Sequence, residues 1–428
     1  MKYKNKPPKA IPAEATFMGT TPGKKPIFLP DNSKHVFVCG TTGSGKTVAV
    51  SNFIKSAIDK NYPALIVDGK GDIGEGSILD ITMRLARPTN KKVYVINLND
   101  PKHSDRYNPF RNASPTIVKD MLINMTNWSE EHYKLNTERY LQRVVMLICK
   151  FNAPLSFKNI IKAISIDNFI KMSLELLKLE KITKADHQEN LDIAKASGKI
   201  AESATARFAT IQESELGVIF DKNGIDIYSA FEENAIILFV LNPLIYPEIS
   251  PLIGRLILID SKKAVSELFG SKKRTFFIFD EIATYASTAL LDIVNKCRSA
   301  NVTCVLATQS LSDLDSTNGT FFKEQIVENC NNYIVLRQNS SINAEHWANI
   351  LGTRNTLEVT YQLEQRNLNT SQTGFGSARR VREYLYHPDD IKNLQTGKGI
   401  YLSKDSSYNS KININKLVLD REEDIIWQ

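Results

Sequence analysis

Eight consecutive residues carry the strongest chemical signal in the chain. Gly40, Thr41, Thr42, Gly43, Ser44, Gly45, Lys46 and Thr47 fit the spacing G-x-x-x-x-G-K-[ST]. Glycines at these positions let successive backbone N–H groups turn inward around an anion, and a helix that starts where the loop ends adds its positive dipole end. In that arrangement Lys46 reaches the β and γ phosphates of a bound ATP, and the Thr47 hydroxyl is a ligand for Mg²⁺. A chance match in a glycine loop is the competing reading. The flanks count against it, because His35–Cys39 (HVFVC) reads as a short strand and Val48–Ile58 has helical apolar spacing.

Hydrolysis at such a site requires a second group of acids. Arg274–Glu281 (RTFFIFDE) is an apolar strand pattern that delivers Asp280 to its C-terminal end, where ligand sites form in open α/β sheets. Asp280 is expected in the water shell of Mg²⁺, and Glu281 as the group that positions or deprotonates the attacking water. Strands often end in solvated acids; the pairing with the phosphate loop is what favours the functional reading. Ala307–Ser310 (ATQS) follows the strand Val302–Leu306 and sets Gln309 on the same sheet edge, where its amide can sense the γ phosphate or orient water. Arg298 ends a predicted helix ahead of that strand. It is either a solvated charge favoured by the helix dipole or a finger aimed at a neighbouring subunit's nucleotide.

Holding these groups together takes strands and crossovers. Ala64–Val67, ending at Asp68, and Lys92–Ile96 read as further strands. Strand runs return at Asn234–Leu241, Thr275–Phe279, Val302–Leu306 and Asn332–Leu336, each apolar on both faces as in a parallel sheet covered by helices on both sides. Between Pro115 and Leu216 helical periodicity dominates, as in Thr137–Cys149 and Ile170–Leu179. The expected organisation is an α/β body with a mostly parallel sheet, interrupted by an all-α insertion. Its parts are an arm over 1–34, a first nucleotide-binding part over 35–114, the insertion over 115–216 and a second nucleotide-binding part over 217–428. The arm follows from Pro7, Pro8, Pro12, Pro22, Pro26 and Pro30, which keep resetting φ and deleting donors. Ser371–Ser377 is expected to be a flexible loop.

A chain of 428 residues, 42% hydrophobic and 24% charged, is globular, which excludes wholesale disorder and disulfide-stapled miniatures. The apolar run Ala235–Leu241 falls far short of the roughly 18 residues that cross a bilayer, so no transmembrane segment is expected. The N-terminal lysines have no apolar stretch behind them, so a secretory signal is not expected either. The net charge of +7 is misleading, because residues 1–34 hold seven lysines against Glu14 and Asp31. Five cysteines, none in a C-x-x-C pair, read as reduced thiols of a cytoplasmic protein.

The ordered set of segments resembles one family. The loop GTTGSGKT, the segment Val67–Asp72 (VDGKGD), Arg106–Phe110 (RYNPF), the strand ending FIFDE, Cys297-Arg298 and ATQS are together similar to the conjugative coupling proteins of type IV secretion, within the FtsK and HerA class of DNA-pumping ATPases. The likeness runs on through Glu328–Arg337 and Ala344–Gly352 and covers most of residues 35–402. It implies a RecA-like P-loop NTPase domain bearing an all-α domain, assembled as a homo-hexamer that moves DNA or presents it to a secretion channel. It also implies that Arg298 acts in trans and that Gln309 is the sensor glutamine. Members carry a membrane anchor, so its absence here points to a variant recruited to the inner face of the membrane by a relaxosome or channel partner. A translocase unrelated to secretion and a nucleotide-switched adaptor are the alternatives.

DNA contact is expected to be independent of base sequence and sensitive to salt. Its candidate carriers are Lys272-Lys273-Arg274, Arg379-Arg380-Val381-Arg382, the arm, and Tyr384 with Tyr386 as stacking rings. Solvated charge runs and ordinary strand tyrosines are the plainer readings of these groups.

Overall fold

The computed structural model describes residues 11–419 except 33, 126, 127, 129, 319, 367 and 368; the side chains of 316–320 and 361–377 also lie outside the description. Its strands are β1 (Ala15–Thr20), β2 (Pro26–Pro30), β3 (Val36–Cys39), β4 (Ala64–Asp68), β5 (Val93–Asn97), β6 (Ile236–Val240), β7 (Thr275–Asp280), β8 (Val302–Thr308), β9 (Asn332–Val335), β10 (Thr353–Arg366), β11 (Asn369–Tyr384), β12 (Lys398–Ser403) and β13 (Tyr408–Ile414). Eleven of them make one sheet in the order β2-β1-β13-β12-β9-β3-β8-β7-β4-β6-β5. From β9 to β5 neighbouring strands are parallel, and β12, β13, β1 and β2 extend the sheet antiparallel.

Successive residues of a strand face opposite sides, and here both sides are apolar. Phe37, Cys39, Leu65 and Val67 join one buried core, while Val36, Val38, Ala64 and Ile66 join the other. The helix Lys46–Asp59 covers the second core, and Ile249–Glu267 covers the first. Because the central strands are parallel, their C-terminal ends share one edge, where loops 40–45, 69–72, 281–287 and 309–311 gather.

Among the described residues between β5 and β6, six α-helices from Pro115–Asn124 to Gly198–Gln212 form the insertion, and the short helix Ile227–Glu232 follows them. Ser114, Ser156, Ser165 and Thr183 cap four of them by accepting a backbone N–H three residues on, and Thr183 forms a full capping box with Asp186. The RYNPF segment is the neck of this insertion. Tyr107 N–H donates to Ile219 (2.8 Å), Ile225 N–H to Arg106 (2.9 Å) and Asn108 N–H to Ile225 (2.9 Å), so the outgoing and returning chains pair. The buried Tyr107 hydroxyl donates to Asp260 (2.9 Å), and Lys263 Nζ joins Asp226 (2.7 Å), Asp260 (3.0 Å) and the Pro109 and Arg111 carbonyls. Removing the cation would leave two buried carboxylates uncompensated. Lys263→Ala should therefore lower unfolding stability by about 3–5 kcal/mol in a denaturant titration, and a loss under about 1 kcal/mol would show that the network does not hold the neck.

Two expectations about irregular segments are corrected. The part of the proposed arm from residue 15 to residue 30 forms β1 and β2. Ala15–Thr20 is buried, and Gly19 and Thr20 pair with Ile414 and Asn413. The prolines do not prevent this because Pro26 and Pro30 sit at the two ends of an edge strand, where a missing N–H costs no ladder bond. Asp31 fastens the hairpin by accepting from Thr16 Oγ1 (2.8 Å) and pairing with Lys60. The proposed arm's residues 1–10 lie outside the described residues. Ser371–Ser377 belongs to β11, one strand of a separate two-stranded ribbon with β10.

Candidate nucleotide site

The loop 40–45 leaves the end of β3 and turns on glycines at positive φ. Gly43 lies at φ 73° and Gly45 at φ 110°, a region that other residues enter only with strain. A side chain at Gly40 would strike Leu336 Cβ at 2.5 Å and Ser44 Oγ at 2.6 Å. The helix begins at Lys46, and its first intrahelical acceptor is Gly45, bonded by Ala49 N–H at 3.0 Å. The N–H groups of 46–48 therefore lack helical carbonyls and face an incoming anion, as at any helix start.

The loop is braced from both sides by segments far away in sequence. Thr41 N–H donates to Arg337 (2.9 Å), Gly397 N–H donates to Ser44 (2.9 Å) and Thr396 Oγ1 donates to Gly43 (3.0 Å). No local pattern in residues 396–397 announces this role.

Opposite the loop, β4 and β7 place Asp68 and Asp280 side by side in register. Asp280 is buried. Desolvation, then Asp68 and Glu281, raise its carboxyl to about 7, with Lys46 opposing. Asp68 is raised to about 6 by burial, against the pull of the Gly71 and Lys70 N–H groups, which donate to its Oδ1 at 3.1 and 2.9 Å. A side chain at Gly71, where φ is 73°, would sit 1.7 Å from the Leu241 carbonyl oxygen, so the VDGKGD turn needs its glycine. Beneath the pair the buried Tyr285 hydroxyl donates to the Asp280 carbonyl at 3.0 Å.

Glu281 follows β7 in the left-handed region, at φ 47° and ψ 54°. For a residue other than glycine this conformation costs about 1–3 kcal/mol, and such strain gathers where function demands it. Burial raises the Glu281 carboxyl above its ordinary range, opposed first by hydrogen bonds from the Gln309 side chain and backbone and by Lys46. Gln309 also accepts from Thr42 Oγ1 at 3.0 Å, so it bridges the phosphate loop to Glu281. It can do so because β8 lies between β3 and β7 in the sheet. Lys46 Nζ rests on the Gly40 carbonyl at 2.6 Å, within the field of Asp280 and Glu281.

A divalent cation fits this arrangement. Asp280 Oδ1 is buried without a hydrogen-bond partner, and three carboxylates crowd one another around it. Thr47 is the neighbouring candidate ligand, one position into the helix. ATP phosphates fit the nest of free N–H groups and Lys46.

Of the residues singled out in the sequence, the structure brings together the 40–47 loop, Asp280, Glu281 and Gln309. Arg298 stands apart. It is exposed in a short helical turn, Cys297–Ala300, that precedes β8, whereas Gln309 follows β8. Asp68 is the site carboxylate to which the sequence assigns no role, only a place at the end of a strand and in the VDGKGD segment. Among the basic clusters, Arg274 is engaged internally by the Asp31 carbonyl (2.7 Å) and Glu14 (3.0 Å), and Lys273 by the Phe231 carbonyl (3.1 Å). Tyr384 and Tyr386 are half-buried against the main core, and the Tyr386 hydroxyl donates to Asn409 at 3.0 Å, so neither stands out as a free stacking ring. His35, Cys297 and Cys304 meet in the core, a cluster invisible to spacing rules. His35 Nδ1 accepts from Cys304 N–H (3.1 Å) and Nε2 donates to Val294 (2.9 Å), so the ring is fully engaged with backbone as packing.

Comparison with known proteins gives this geometry a context. Residues 30–241 match the family model described as the central domain of the helicase HerA, and residues 274–396 match the one described as the TraM recognition site of TraD and TraG. An uncharacterised protein of Mycoplasma pneumoniae is 31% identical over 121 residues, 28% of this chain and 78% of that protein. The fold is similar to that of the bacterial conjugative coupling protein TrwB, with a TM-score of 0.68 and 17% identity over 95% of this chain and 90% of that one. TrwB in complex with ADP and Mg²⁺ gives 0.64 and 16% over 95% and 91%. VirB4 of Thermoanaerobacter pseudethanolicus gives 0.56 and 10% over 94% and 96%. Among the described residues no helix is long and apolar enough to cross a membrane. The two family models divide most of the chain between them, on a RecA-like fold whose sheet edge assembles the acids and the phosphate loop, and the chain belongs with the P-loop ATPases that these HerA and TraD/TraG models describe.

Proposed function

We propose that the chain hydrolyses ATP with Mg²⁺ in a ring of identical subunits and uses it to move DNA, or present it, to a conjugative type IV secretion channel. The observation that carries this reading is the convergence of Lys46, Asp280, Glu281 and Gln309 at one sheet edge, inside a frame matched by the HerA and TraD/TraG models. The phosphate loop and the helix start bind the phosphates, and Lys46 moves from the Gly40 carbonyl onto them. Thr47 and Asp280 would hold Mg²⁺, which when bound offsets the charge of the β and γ phosphates. Glu281, kept basic by burial, takes the proton of the attacking water, and Gln309 orients that water while reporting on the loop through Thr42. Homo-hexameric assembly and relaxosome or channel partners follow from the family reading. So does a place on the cytoplasmic side, at the inner membrane face through a partner.

The test is steady-state ATP hydrolysis with Mg²⁺ across protein concentrations, with and without duplex and single-stranded DNA. The rate per chain should rise with protein concentration and again with DNA. Hydrolysis indifferent to both would refute the reading.

A further inference from the structure

The ribbon β10–β11 stands outside the large sheet, and its charges are sorted by face. Paired residues of an antiparallel ribbon share a face, and successive rungs alternate. One face of the described part carries Arg354 with Glu383, Thr356 with Val381 and Glu358 with Arg379. Its charges cancel, and Glu383 is held locally by Arg354 (4.0 Å) and Thr356 (3.0 Å). The other face carries Thr353 with Tyr384, Asn355 with Arg382, Leu357 with Arg380 and Val359 with Ala378. It has two arginines and no acid. Leu357 is 61% and Val359 46% exposed beside them.

A two-stranded ribbon with apolar residues in water is marginal alone, which makes a surface lying on this face a stabilising partner. The root of the ribbon is fixed: Leu385 N–H donates to Gly352 (2.9 Å), and the helix Ser341–Leu351 ends against it. Two outward positions on one strand lie about 7 Å apart, a step suited to successive phosphates of one nucleic-acid strand. A ribbon of this width also enters the DNA major groove.

We propose that the Arg380 and Arg382 face of this ribbon binds the DNA sugar-phosphate backbone, with Leu357 and Val359 packing against it. This rests on the DNA-handling function proposed above and localises it. Arginine contacts to phosphate position a strand without reading bases, as a protein that handles any sequence requires.

The test uses the full chain and labelled mixed-sequence 40-mers, duplex and single-stranded, titrated by anisotropy over a series of KCl concentrations. R380Q/R382Q should weaken binding about tenfold and make the slope of log K against log salt shallower by roughly 2. R354Q/R379Q removes the same charge from the opposite face and should change affinity less than threefold. Unchanged ATP hydrolysis without DNA verifies that both variants fold. The probe that loses more affinity, duplex or single strand, identifies the DNA form carried. Equal losses from both pairs would overturn the assignment. So would native-like binding by R380Q/R382Q, or a fall in its assembly mass, which would make this face a contact between subunits. A native chain that binds neither probe would instead refute the DNA-handling function itself, and the inference with it.

Discussion

Glu281→Gln is expected to reduce steady-state ATP hydrolysis about 10²–10⁴-fold while leaving ATP affinity within a few-fold of native. The substitution keeps the side-chain shape and can still bond to Gln309, but an amide does not accept the proton of water. The left-handed backbone at φ 47° aims this one side chain away from the course of β7 and toward Gln309 and the phosphate loop. A residue that merely ended the strand in solvent would gain nothing from that strain. Phosphate release and binding of a fluorescent ATP analogue, measured on the same preparation, separate turnover from affinity. Lys46→Ala is the contrasting control, since it removes a phosphate contact and should weaken binding as well. Turnover within tenfold of native in Glu281→Gln would move the base to another group, and Asp68 or Asp280 would be the next to substitute.

Much of this site was legible because its parts are local. The phosphate loop lies between a strand and a helix that continue it, and Asp280 ends the apolar strand β7 while Glu281 and Gln309 directly follow β7 and β8, so the two strands announce them. What escaped the sequence depends on contacts between distant segments. The strand β1 looks like part of a proline-broken arm until β13 supplies a partner nearly 400 residues on, with Gly19 opposite Ile414. Ser371–Ser377 lacks the apolar alternation of a strand because a two-sided ribbon has no core face to mark it. Thr396 and Gly397 brace the phosphate loop through one hydroxyl and one N–H, which need no distinctive residue types. RYNPF, noticed only as part of a family pattern, has a physical reason in the buried Tyr107–Asp260–Lys263–Asp226 network at the neck.

Arg298→Ala should lower the turnover number by about 10³–10⁵ if Arg298 is the finger for a neighbouring site, the range associated with supplying such a charge in trans. The topology makes its own site unreachable. Arg298 precedes β8 and the phosphate loop lies beyond the other end of that strand, so the seven residues Val302–Thr308 separate them. At roughly 3.3 Å per residue that is on the order of 20 Å, far beyond an arginine side chain. Arg298 instead lies exposed in a shallow surface depression with Phe269, Asn295, Lys296 and Ser299, a place that a neighbouring subunit's nucleotide edge can approach. A mixing experiment separates this from a stability defect. Arg298→Ala retains its phosphate loop and Lys46→Ala retains its arginine, so each is inactive alone, but co-assembled rings contain interfaces with both groups intact. Activity should reappear on mixing, rise to a maximum near equal proportions and vanish on dilution below the assembly concentration. Native-like turnover by Arg298→Ala would return Arg298 to a solvated helix-terminal charge, and failure of every mixture to recover activity would exclude a site shared between subunits.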